Sequence, residues 1–131
     1  MRRFMWLAGA LVGAAVVTAG AQSEPYSGAG DYQVYCSSCH GTGGKGDGSI
    51  AKMLKKRPTD LTQLAKQNKD AFPDEKIFKT IDGRGSSAHA DSDMPSWGEV
   101  FAKSTESPGT EKSALRIRTL VRYLETLQVK P

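Results

Sequence analysis

The chain has 131 residues, and its 18 Lys and Arg against 14 Asp and Glu give a formal net charge of +4. Residues 1–21 carry two of these cations, Arg2 and Arg3, and no acidic residue, so the remainder has a charge of only +2. This excess is too small for a nucleic-acid binder, and the length and composition exclude collagen, coiled-coil rods and multidomain enzymes. About 110 residues make one domain, and any large cofactor would become part of its core.

The N-terminus has the pattern of a secretory signal peptide. Arg2 and Arg3 form a positive start, residues 4–17 are almost wholly apolar, and residues 19–21 are small. An uncleaved membrane anchor is the alternative, because about 17 apolar or small residues lies at the lower limit for spanning a bilayer. We therefore predict a cleaved leader over residues 1–21 and a single domain over residues 22–131 in the periplasm, where thiols tend to oxidise.

The first helix of the mature chain is predicted to begin near Gly28 or Ala29 and to run to Cys36. A loop must follow, because residues 41–48 contain five glycines.

Two short helices are predicted next. Ser49 is a plausible N-cap for a helix from Ile50 to Lys56, which Pro58 prevents from continuing. Thr59 could cap the second helix, from Asp60 to Lys66.

The second half of the chain contains the clearest helical signals. Residues 73–81 begin with proline and two acids and stop at Gly83, which predicts a helix. A loop is predicted from Asp82 to about Pro108. Residues 110–128 have an apolar stripe and an opposite polar side, which predicts the final helix. The stripe comprises Ile117, Leu120, Val121, Leu124 and Leu127, and the polar side comprises Arg116, Arg118, Arg122 and Glu125. The predicted fold class is all-α, with short helices and long loops around a cofactor.

Cysteine and histidine are concentrated in one short motif. The chain has two cysteines and two histidines, and Cys36, Cys39 and His40 lie within five residues. C-x-x-C-H is the attachment pattern of a c-type haem. Side chains at i and i+3 of a helical turn face the same way, so two thiols can reach one porphyrin edge while the next residue brings an imidazole to the iron. The motif predicts one covalently attached haem c, with His40 as an axial ligand.

Three other interpretations of the motif stay open at this point. C-x-x-C could be a disulfide or dithiol redox pair, although the strand and helix that usually surround such a motif are not indicated. A zinc site would need further ligands, and His89 alone makes a poor second set. The two cysteines could also form a purely structural disulfide.

The second axial ligand of a haem would come from Met94, His89 or Met53, unless the position is open or holds water. Met94 is followed by Pro95, which stiffens the backbone and helps a weak thioether ligand to stay bound. Met53 lies in an apolar pattern that explains it as ordinary packing. Met94 is therefore the predicted ligand, and His89 is expected to be a surface histidine.

Over residues 26–128 the chain resembles the class I cytochromes c. Gly28 lies four residues before Tyr32, which lies four before Cys36, and Leu120 is followed three residues later by Tyr123. In that family the corresponding residues pack the first helix across the last.

The resemblance also implies roles around the haem. The carbonyl of Pro58 would accept the Nδ1 hydrogen of His40, which sets the tautomer, and Met94 matches the family's distal ligand. Trp97 and Arg84 are candidates for contacts with the haem propionates, as an N–H donor and as a cation.

Such a chain would transfer single electrons and would not itself be an enzyme. Its partners would be redox proteins, with no nucleic acid, no small-molecule substrate and a monomeric state. Lys52, Lys55, Lys56 and Arg57 could steer an acidic partner to the haem edge, or they could be a solvated face. The alternatives are a haem-bearing subunit of a larger periplasmic oxidoreductase complex, and a haem enzyme or gas sensor with an open distal site.

Overall fold

The computed structural model of the chain describes residues 25–85 and 93–130, which form α-helices and 3₁₀ turns and contain no β-strand. The all-α prediction is therefore confirmed. The predicted leader and His89 lie outside the described residues. The helices are α1 (Gly28–Tyr35), α2 (Ser37–His40), α3 (Asp74–Asp82), α4 (Trp97–Lys103) and α5 (Thr110–Thr126).

Helices α1 and α5 cross in direct contact, as the resemblance implied. Ser27 caps α1 by accepting a hydrogen bond from the Gly30 N–H. A Cβ atom at Gly28 would lie 2.1 Å from the Thr119 carbonyl oxygen, so only glycine allows this approach. The fully buried Tyr32 ring lies 5.3 Å from that of Tyr123, measured between centroids.

Helix α3 follows its sequence signals. Asp74 and Glu75 occupy its first turn, where negative charge stabilises the helix N-terminus. Gly83 ends the helix in the left-handed conformation, with a φ of 68°. Ile77 and Ile81 face the core, and the helix packs against α5.

Helix α4 lies inside the stretch 82–108, which was predicted to be a loop, so that prediction is wrong. The buried Phe101 anchors the helix against Tyr35 of α1, with ring centroids 5.3 Å apart, and Trp97 in the first turn of α4 packs 5.5 Å from both rings. Packing of these aromatic rings and of α4 against α5 outweighs the weak local preference of a seven-residue helix that contains glycine.

Helix α5 has the predicted apolar stripe, and four of its residues are buried: Ile117, Leu120, Val121 and Leu124. Arg116 was assigned to the polar side opposite this stripe, but it is buried, so that assignment is wrong. Its side chain is only 3% exposed, because it is paired with Asp31 and Glu106.

The stretch 50–66 contains 3₁₀ turns instead of two α-helices. One turn covers Ala51–Met53, and the side chain of Ser49 does not cap it. The next covers Leu61–Gln63, and its cap is Asp60 instead of Thr59, because the Asp60 carboxylate accepts the Thr62 N–H at 2.9 Å. Met53 is 78% exposed, so its interpretation as a packed side chain is also wrong.

None of the helices within residues 25–85 and 93–130 has the length and apolar character required to cross a bilayer.

Candidate functional site

A cavity of about 340 Å³ lies beside the C-x-x-C-H turn. Its apolar wall is formed by core side chains from α1, α3, α5 and the 3₁₀ turn Leu61–Gln63. These are Tyr32, Leu61, Ile77, Ile81, Leu120 and Leu124. Cys36, Cys39, His40 and Met94 line the same cavity. The fold thus brings the four predicted haem-binding side chains together around one apolar space.

Cys36 is the residue immediately before the short turn α2, and Cys39 lies within it. The Cys39 and His40 N–H groups both donate to the Cys36 carbonyl, at 3.2 and 2.9 Å, which holds the motif in a helical turn. The two side chains are half-buried and are not joined by a disulfide bond. Burial raises the pKa of the Cys36 thiol to about 12, whereas a dithiol redox motif needs a lowered thiol pKa. The environment therefore argues against the redox interpretation.

The imidazole of His40 is fixed by a backbone carbonyl. Its Nδ1 lies 3.0 Å from the Thr59 oxygen, which can only accept, so Nδ1 carries the hydrogen. Burial lowers the pKa of His40, while the Thr59 hydrogen bond opposes that shift. A neutral imidazole bonded in this way keeps Nε2 free to bind a metal.

The acceptor is Thr59, not Pro58, which corrects the expectation taken from the resemblance. Pro58 lines the cavity, but its carbonyl packs against the glycine-rich loop. A Cβ atom at Gly46 would lie 2.3 Å from the Pro58 oxygen, and Gly46 has a φ of +72°. The Gly46 N–H donates to the His40 carbonyl at 2.8 Å, so the loop also supports the ligand turn.

The predicted distal ligand lies in the cavity wall. Met94 is half-buried, packs against the core and is followed by Pro95, which also lines the cavity. Met53 is exposed to solvent and lies outside the cavity lining. Of the two described methionines, Met94 is therefore the one positioned to face a bound cofactor.

Trp97 and Arg84 have different environments. Trp97 lines the cavity and packs edge-on against Tyr35, with ring centroids 5.5 Å apart. Arg84 lies outside the cavity lining, and its Nε bonds both oxygens of Asp82 at 3.0 and 3.1 Å. The expectation that Arg84 contacts the cofactor therefore has no support in the described residues, where its guanidinium is paired with Asp82.

Residues 25–85 and 93–130 contain no group of three His, Cys, Asp or Glu side chains that could hold a metal ion. The zinc interpretation therefore has no support in this part of the chain.

Sequence reasoning missed that Thr59, Tyr35 and Asp93 line the cavity. Tyr35 precedes the motif and lines the cavity, and its aromatic character next to Cys36 was the available signal. The role of Thr59 depends on the path of the backbone after Pro58, which no local pattern specifies.

Two thiols on one helical turn, an oriented imidazole and an apolar cavity fit a covalently attached porphyrin. The sequence model of the family described as cytochrome C oxidase, cbb3-type, subunit III matches residues 23–106. The chain belongs to this family of c-type cytochrome domains. Searches of curated proteins and of solved structures found no match to the chain. Family membership gives the cytochrome a covalently bound haem c, a role in haem-based electron transfer and redox proteins as partners.

Proposed function

We propose that the cytochrome is a periplasmic electron carrier whose haem iron is ligated by His40 and Met94, with thioether bonds to Cys36 and Cys39. One observation carries the proposal: these four side chains, which come from the α2 turn and from a loop more than 50 residues later, line one apolar cavity. Export would use the predicted leader of residues 1–21.

The chain's own residues would make the site suited to electron transfer. When bound, haem c supplies a one-electron ferric/ferrous couple. Two axial ligands from the protein leave no position for a substrate, and a thioether ligand together with burial favours the ferrous state. Thr59 fixes the orientation of His40, and Pro95 stiffens the backbone beside Met94. The geometry of a site held in this way would change little between the ferric and ferrous states.

A second candidate is a haem-bearing subunit of a periplasmic oxidoreductase complex. The description of the matched family as an oxidase subunit favours it. Size-exclusion chromatography of the native protein separates the two candidates, because a subunit would elute with its complex.

The Met94→Ala variant tests the proposed ligation. The wild-type ferric protein should show an iron-to-sulfur absorption band, and its reduced form should bind carbon monoxide slowly and weakly, because Met94 occupies the distal position. The variant should lose the band, bind carbon monoxide at least about 100-fold faster and have a lower reduction potential.

Met53→Ala is the matched control and should behave as wild type. Rapid, tight carbon monoxide binding by the wild type would instead indicate an open-site enzyme or gas sensor.

The docking surface of the carrier would be a basic patch that comprises Lys52, Lys55, Lys56 and Arg57. All four side chains are exposed, and Lys56 and Arg57 line the cavity mouth. Cations at this position would steer acidic partners towards the cofactor, since complementary charge mainly raises the encounter rate.

The double variant Lys56→Glu/Arg57→Glu should slow oxidation of the reduced protein by the anion hexacyanoferrate(III) about ten-fold at low ionic strength. Added salt should remove most of the difference. The variant Lys112→Glu/Lys130→Glu changes the net charge equally at exposed positions outside the cavity lining. Equal rates for the two double variants would contradict the assignment of the patch, because only net charge would then matter.

A further inference from the structure

A hydrogen bond joins the basic patch to the loop that carries Met94. The Lys55 backbone N–H donates to Oδ2 of Asp93 at 2.7 Å, across 38 positions of sequence. Asp93 immediately precedes Met94, and both residues line the cavity. The bond therefore spans the cavity rim, with Leu54, Lys56 and Arg57 on one side and Asp93 and Met94 on the other.

The stretch that donates this hydrogen bond also orients the imidazole. We name residues 54–59 the proximal segment, since Thr59 at its end accepts the hydrogen bond from His40. Its position is fixed further by the contact of the Pro58 carbonyl with Gly46. One short piece of backbone thus contacts the proposed proximal ligand and the residue next to the proposed distal ligand.

Met94 is followed by a well-anchored stretch of chain. Pro95 restricts the backbone, and helix α4 begins two residues later at Trp97. Gly98 packs so closely on Asp82 that a Cβ atom would lie 2.2 Å from the carboxylate oxygen. On the N-terminal side of Met94, the neighbouring Asp93 is held by its hydrogen bond from the Lys55 N–H.

We propose that Asp93 is a positioning residue for Met94. The Asp93 carboxylate fastens the backbone beside Met94 to the proximal segment. The proposal rests on ligation of the haem iron by Met94. The thioether is a weak ligand, so the rate at which it leaves the iron depends on how far its loop can move away. The bridge between Asp93 and Lys55 restrains that movement and keeps the distal position closed.

The test compares Asp93→Ala, which removes the acceptor, with Asp93→Asn, which keeps an amide oxygen in the same place. The rate of imidazole binding to the ferric protein measures how often Met94 leaves. We expect about a five- to ten-fold faster rate in Asp93→Ala, the size of one partly exposed hydrogen bond to a charged group, and a near wild-type rate in Asp93→Asn. Hydrogen exchange at the Lys55 amide should accelerate in Asp93→Ala alone.

The bond can also be removed from its donor side. Lys55→Pro lacks the N–H, whereas Lys55→Ala keeps it and loses the same side-chain charge, so only the proline variant should bind imidazole faster. Glu125→Ala removes one exposed negative charge on α5 and is the net-charge control for Asp93→Ala.

The outcomes separate this inference from the function on which it rests. A wild-type protein without the iron-to-sulfur band would contradict ligation by Met94 itself. An intact band with wild-type imidazole and exchange rates in Asp93→Ala would overturn the role of Asp93 alone, as would equal acceleration in Asp93→Ala and Asp93→Asn.

Discussion

Replacement of Arg116 by methionine is expected to lower the free energy of unfolding by about 4 kcal/mol, because it leaves a buried carboxylate without its cation. The Arg116 side chain is 3% exposed and the Asp31 side chain 13% exposed, and two N–H groups of Arg116 bond the two Asp31 oxygens at 2.7 Å. This hydrogen bonding raises the pKa of Arg116 further above its usual range. Methionine would keep the apolar volume but none of these bonds.

The Arg116 guanidinium also holds together parts of the fold that are distant in sequence. It stacks 4.3 Å from the centroid of Phe101 on α4 and bonds Glu106 at 2.9 Å. Tyr35, which lines the cavity, lies within 3.4 Å of it through its hydroxyl group. The substitution should therefore loosen the aromatic wall beside the haem as well as the contact between α1 and α5.

Guanidinium unfolding of the haem-loaded protein measures the effect, and Arg118→Met is the matched control on the same helix. Arg118 pairs with Glu75 at 2.5 Å, but the two side chains are 38% and 60% exposed, so the loss of this pair should lower the free energy of unfolding far less. The double variant Asp31→Asn/Arg116→Met should be more stable than Arg116→Met, since no unpaired carboxylate remains. A similar loss for both arginine variants would show that burial of the pair does not matter.

Gly28→Ala is expected to destabilise the protein by about 3 kcal/mol, because the added Cβ clashes with the backbone of α5. The added Cβ would lie 2.1 Å from the Thr119 carbonyl oxygen and 3.0 Å from the Tyr123 Cβ, and neither atom can rotate away. Helices α1 and α5 would have to separate, which would loosen the packing of the buried Tyr32 against α5. Because the haem-attachment motif is unchanged, the variant should keep its covalent haem while its denaturation midpoint falls.

Gly43→Ala is the control, since a Cβ at that glycine would meet no atom within 4 Å. We expect its free energy of unfolding to stay within about 0.5 kcal/mol of wild type. A wild-type midpoint for Gly28→Ala would contradict the close crossing of the two helices.

The parts of the fold that could be predicted are those governed by local chemistry. Helix α3 has acids in its first turn and Gly83 after its last residue, and the apolar repeat of α5 is long enough to identify its buried side. The haem-attachment motif is likewise local, because two thiols and an imidazole within five residues suit few kinds of site.

The predictions that failed depended on contacts between distant residues. Helix α4 forms through the packing of Phe101 and Trp97 on the Tyr35 ring of α1. The hydrophobic periodicity of seven residues could not reveal this long-range contact. Arg116 was assigned to the polar side of α5 from its position in the repeat. Its burial depends on Asp31, which lies 85 residues away in sequence.

The same reason explains the errors at the candidate site. Whether the carbonyl of Pro58 or that of Thr59 accepts the hydrogen bond from His40 depends on which of these two carbonyls points towards the imidazole. The link from Asp93 to Lys55 joins two loops that no sequence pattern pairs.

The contact between α1 and α5 has a consequence for how the molecule assembles. Helix α5 lies beyond the family-matched residues 23–106, yet it supplies Ile117, Leu120, Val121 and Leu124 to the core. The ends of the domain must meet across some 85 positions, which makes loop closure entropically costly and folding slow. The ligand turn, held by bonds within five residues, needs no such closure. The nascent chain can therefore present its two thiols side by side before its hydrophobic interior exists.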